Sequence, residues 1–74
     1  MPAGSQLRVL VADDEPLARQ RLQDLLAGEE GVVAETVGSG PDAVAAIREL
    51  RPDIVFLDVQ MPGMSGVDVV RAVG

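Results

Sequence analysis

Hydrophobic periodicity along these 74 residues predicts an α/β domain built on a parallel sheet. Three observations carry that reading. Short β-branched runs alternate with stretches whose apolar residues recur at helical spacing. The first and third runs are apolar at consecutive positions, as strands covered on both faces are. Prolines at 16 and 41 fall in the first turn of the two stretches that follow the first two runs, a position where proline's missing N–H costs nothing. The order is βαβαβ and the start of a further helix, which calls for right-handed crossovers.

Each element has its own warrant. Leu7–Ala12 (LRVLVA) reads as a central strand. The helix opening at Pro16 has acids Asp13, Asp14 and Glu15 at its positive end, an apolar stripe of Ala18, Leu22, Leu25 and Leu26, and Arg19, Gln20, Gln23 and Asp24 on the opposite side. It stops near Gly28. Val32–Gly38 (VVAETVG) is a second strand, and Glu35 and Thr36 mark it as an edge. Ser39 is a candidate cap for a second helix with Ala43, Val44, Ile47 and Leu50 as its buried stripe, ended by Pro52. Ile54–Val59 is a third strand, apolar toward both faces, and GVDVVRAVG begins a third helix at the end of the chain.

Composition narrows the function. The chain is one small domain, below the usual size of about 100–150 residues, and a chain this short buries only about 60% of its unfolded surface. There is no Cys, Lys or His, which excludes disulfides, thiolate or His-ligated zinc and a His general base within this chain. Twelve acids against six arginines give a net charge of −6, which argues against direct contact with nucleic-acid phosphates. The N-terminus has no apolar signal core, and no run reaches the ~20 apolar residues of a membrane span, so the default compartment is the cytoplasm.

The chemistry lies in three acids. In an open parallel sheet, ligands bind beyond the carboxyl ends of the strands. If the first and third strands are neighbours, Asp13 and Asp14 meet Asp58 at one crevice. Read singly, the acidic pair is also explained as dipole stabilisation of a helix start, and Asp58 as a strand-ending turn residue. Together they make a site of converging like charges that a hard, oxygen-seeking cation such as Mg2+ relieves. A carboxylate in such a place is a candidate nucleophile toward phosphorus. Met61 and Met64 read as packing or loop residues rather than ligands, Gly63 and Gly66 as turn residues, and the isomer of the Pro62 bond is open.

At VLVADDEP and PDIVFLDVQMPGMSG the chain resembles the receiver domain of two-component response regulators, from Leu7 to Gly74. The resemblance implies a flavodoxin-like fold with strand order 2-1-3-4-5. It implies Asp58 as phosphoacceptor, Asp14 as a direct Mg2+ ligand, Asp13 as a ligand mainly through water, and the main-chain carbonyl of Gln60 as a further ligand. It also implies a histidine kinase as phosphodonor. DNA would be reached only through an output domain that is missing here, and the wording of the first helix looks most like regulators with a LytTR-type output. The role is a switch in signalling, not substrate turnover. Receivers have five strands, with a Ser or Thr ending the fourth, a Lys ending the fifth and often an aromatic switch residue. Only three strands are written here. The chain therefore reads as residues 1–74 of a truncated receiver, not competent as a switch alone, with a third-strand edge open to self-association. The alternatives are an Mg2+-dependent phosphohydrolase with an Asp nucleophile, which would typically carry an acid where Gln60 stands, and a non-phosphorylated interaction module.

Overall fold

The computed structural model describes residues 6–74. Three strands, β1 (Leu7–Ala12), β2 (Val32–Val37) and β3 (Ile54–Leu57), form one parallel sheet in the order β2-β1-β3. The helices are α1 (Pro16–Ala27), α2 (Gly40–Leu50) and α3 (Gly66–Val73). β1 takes the centre, and its apolar stretch Val9, Leu10, Val11 and Ala12 is buried on both faces. Its register runs from Leu7 opposite Val32 to Ala12 opposite Val37 on one side, and from Val9 opposite Ile54 to Ala12 opposite Leu57 on the other.

Alternation along β1 sorts the helices onto two faces. Ala12 packs with Ala43 of α2, Met61 and Val69 of α3, and Leu57, Ile47 and Met64 close around them. Val11 points the other way and lines a cleft with Leu22 of α1 and Phe56. Full burial of a side chain such as Leu10, Val11 or Val69 stabilises by about 1.5–3 kcal/mol each. The start of β3 is clamped by Asp53, whose N–H donates to the Arg8 carbonyl and whose carboxylate accepts the Arg8 N–H, both at 2.8 Å.

Several expectations change. The third strand stops at Leu57, and Val59 is exposed. The second stops at Val37 and is, as expected, an edge. The stripe of α1 is carried by Ala18, Leu22 and Leu26, while Leu25 is 70% exposed. The helix is rotated so that Arg19 and Gln23, assigned to the solvent side, are half-buried. The two faces of β3 are covered unequally, and α3 serves the better covered one. Val69 is fully buried there, whereas Ile54 and Phe56, on the face α1 shares, are 41% and 45% exposed because α1 lies over β1 and β2.

Candidate functional site

β1 and β3 end together, and the acids follow at once. The Asp58 N–H donates to the Ala12 carbonyl at 2.9 Å, the last bond of the β1–β3 ladder. The Asp13 N–H donates to the Val37 carbonyl at 3.2 Å, the last bond toward β2. Both residues thus have their amides spent in the sheet while their carboxylates project past its edge. Asp13, Asp14 and Asp58 each offer a carboxylate oxygen within 4.8 Å of the others, Asp13 and Asp58 half-buried and Asp14 exposed. The convergence inferred from strand adjacency is therefore present.

Backbone amides hold two of the three. Asp13 Oδ1 accepts the Glu15 N–H at 2.9 Å, a local turn bond that also caps the entry to α1, where the Glu15 side chain makes no capping bond. Asp58 Oδ1 accepts the Gln60 N–H at 3.0 Å. One oxygen of Asp58 is thereby fixed, which orients the other. Asp13 and Asp58 also border the cleft of about 290 Å³ on the α1 face, walled by Val11, Leu22 and Phe56. The donor set is three carboxylates and no nitrogen or sulfur. That suits a hard divalent cation and does not suit zinc or copper.

The loop after Asp58 is pinned from below. Met61 is buried in the α2–α3 core, as its packing assignment anticipated, and Pro62 follows a trans bond. Gly66 is more than a turn residue. It is buried at the start of α3, and a Cβ there would stand 2.5 Å from the Asp58 carbonyl oxygen. Only glycine lets α3 approach the strand end this closely. Ser65 anchors the same turn through a reciprocal capping box with Asp68. Sequence reading also missed Arg19, which donates from Nη1 to the Asp13 carbonyl at 2.8 Å. Its helical spacing alone put it among solvated residues.

The chain is similar to known proteins in sequence and in fold. A family model for the response regulator receiver domain matches residues 9–73. The chain is 46% identical over 67 residues to the transcriptional regulatory protein BtsR of Salmonella typhi, covering 86% of this chain and 27% of that protein. It is 48% identical over 64 residues to the DNA-binding response regulator MtrA of Mycolicibacterium smegmatis, covering 86% and 28%. The response regulator domain of Thermotoga maritima CheB superposes with a TM-score of 0.85 at 30% identity, over 92% of this chain and 52% of that one. The Vibrio cholerae chemotaxis protein CheY4 does so with a TM-score of 0.85 at 35% identity, over 93% and 57%. The chain thus spans about a quarter of the length of the curated relatives and about half of the solved chains. These matches do not support the narrower LytTR-type assignment. Among the described residues no helix is long and apolar enough to cross a membrane. Taken with the βαβαβ order, the 2-1-3 sheet and the three acids at its carboxyl edge, the family match places this chain in the response regulator receiver domain family.

Proposed function

We propose that Asp58 accepts a phosphoryl group from a phosphohistidine on a partner kinase, with Mg2+ held by Asp13, Asp14, Asp58 and the main-chain carbonyl of Gln60. The observation that supports this most is the meeting of three carboxylates within 4.8 Å at the carboxyl ends of two adjacent parallel strands. Bound there, the cation neutralises phosphoryl oxygens that would otherwise be repelled by the acids.

The chain's own residues do the rest. Gln60 holds Oδ1 of Asp58 through its N–H, leaving Oδ2 to attack phosphorus in line with the leaving imidazole. A P–O bond forms as the P–N bond breaks, and the electron pair leaves with the imidazole nitrogen. The product is an acyl phosphate on Asp58. The ladder bond from the Asp58 N–H and the close approach of Gly66 to its carbonyl keep the main chain still during transfer. A Gln at position 60, where an acid would serve a phosphohydrolase, favours a switch over turnover. Any contact with DNA belongs to sequence outside these 74 residues. The open β3 edge is a surface for self-association of this chain. Treating the protein with acetyl phosphate tests the reading by intact mass: a gain of one phosphoryl group that requires Mg2+ supports it, and an unmodified mass in Mg2+ contradicts it.

A further inference from the structure

We propose that Arg19 is a positioning residue of the acidic crevice, holding the Asp13 peptide so that Asp13 and Asp14 face Asp58, and that position 38 is glycine because the Arg19 guanidinium lies where a side chain would begin. The reasoning starts from the end of β1. The Asp13 N–H is used by Val37, the last residue of β2, so no further strand residue is placed to satisfy the Asp13 carbonyl. A half-buried carbonyl needs a donor. Arg19, one turn into α1, supplies it from Nη1 at 2.8 Å, a charge-assisted bond.

The guanidinium is itself held in place. A Cβ built on Gly38 would stand 2.8 Å from Nη1, 3.3 Å from Cζ and 3.7 Å from Nη2 of Arg19. The flat group therefore lies across the bare Cα of Gly38, at the exit of β2. Three segments meet at one arginine: the end of β1, the first turn of α1 and the exit of β2. Asp13 is then fixed twice, its side chain by the Glu15 N–H and its carbonyl by Arg19. With both groups held, the peptide that joins Asp13 to Asp14 cannot rotate without breaking a bond. A positive charge is also brought to the backbone of the acidic pair, where it offsets part of the repulsion among three carboxylates.

The second half of the proposal makes it separable from general stability. A methyl at position 38 meets the far end of a flexible side chain and not backbone. Gly38→Ala therefore displaces the guanidinium while leaving the strand intact. The two sites should be coupled: Gly38→Ala matters only while Arg19 is present.

The metal arm of the test rests on the Mg2+ reading above; the other arm does not. The wild-type chain, Arg19→Ala, Gly38→Ala and the double variant are compared. Without metal, the Asp14 amide resonance reports the peptide whose carbonyl Arg19 holds. It should move in Arg19→Ala, move the same way in Gly38→Ala, and move no further in the double variant. With metal, Mg2+ affinity should fall about tenfold in the same pattern, the low end for groups that orient metal ligands. Additive shifts at Asp14, or an Asp14 amide unmoved by Arg19→Ala, overturn the proposal. So does a lowered melting temperature with both the Asp14 amide and Mg2+ affinity unchanged. Absence of Mg2+ binding in the wild type would count against the metal reading alone, and the metal-free arm would still decide the role of Arg19.

Discussion

Asp58 sits one residue past a strand whose neighbour ends at the same level, and every nearby constraint acts on its main chain and one carboxylate oxygen. Gly66 is the tightest of these constraints. Gly66→Ala adds a methyl against the Asp58 carbonyl, where backbone must give way, and should destabilise by about 1–3 kcal/mol in urea unfolding. A loss below a few tenths of a kcal/mol would show that α3 can retreat freely. Asp13 and Asp14 differ in a way that sets a second expectation. Asp13 is half-buried and spends Oδ1 on the Glu15 N–H, whereas Asp14 is exposed. Mg2+ affinity should therefore fall more in Asp14→Ala than in Asp13→Ala, followed by amide shifts at residues 13, 14 and 58. Equal losses would contradict the direct and water-mediated roles proposed for the two acids.

At the scale of elements, the helix ends make opposite predictions. Ser65 caps α3 and accepts the Asp68 N–H, so Ser65→Ala should cost about 1 kcal/mol. Arg51 closes α2 in the left-handed region, with φ 48°, where a Cβ is strained and glycine is not. Arg51→Gly should therefore gain a few tenths to about 1 kcal/mol despite the freer unfolded chain. Paired thermal melts check both signs. These ends also show what sequence can carry. Ser39 and Ser65 precede regular helices, and the cap at Ser39 was legible from residue type and spacing. Strand type was legible because apolar runs without helical spacing have few other uses, and the three acids because each follows such a run. The rotation of α1 was not. Its apolar residues fit two adjacent stripes, and the choice is made by β2, which draws Ala18, Leu22 and Leu26 inward and leaves Leu25 outside. Arg19 escaped for the same reason, since a guanidinium that satisfies a strand-end carbonyl leaves no periodic trace. Gly66 escaped because a glycine needed for close approach reads like one needed for a turn.

Across the whole molecule, cover is uneven. α2 and α3 seal one face of the sheet, while the other is covered by α1 over β1 and β2 only, and Ile54 and Phe56 of β3 stay open. Beyond β3 no further strand follows among the described residues, so the outward N–H and C=O groups of Ile54–Leu57 lack a ladder partner. Such an edge, uncharged and free of proline, templates pairing with another chain. The 74-residue chain should self-associate as its concentration rises in sedimentation velocity, and Ile54→Lys should suppress this; a monomer at all concentrations with protected amides in β3 would contradict it. The opposite, paired edge of β3 brings the acids together, because β3 beside β1 is what sets Asp58 against Asp13 and Asp14. The central claim is that this juxtaposition makes Asp58 the residue that takes the phosphoryl group. Borohydride reduction of the phosphorylated protein converts an aspartyl phosphate to homoserine, and peptide mapping locates it. The account predicts homoserine at position 58 alone, absent without Mg2+ and absent in Asp58→Asn. Phosphate found on Ser39 or Ser65, or modification undiminished in Asp58→Asn, would contradict it.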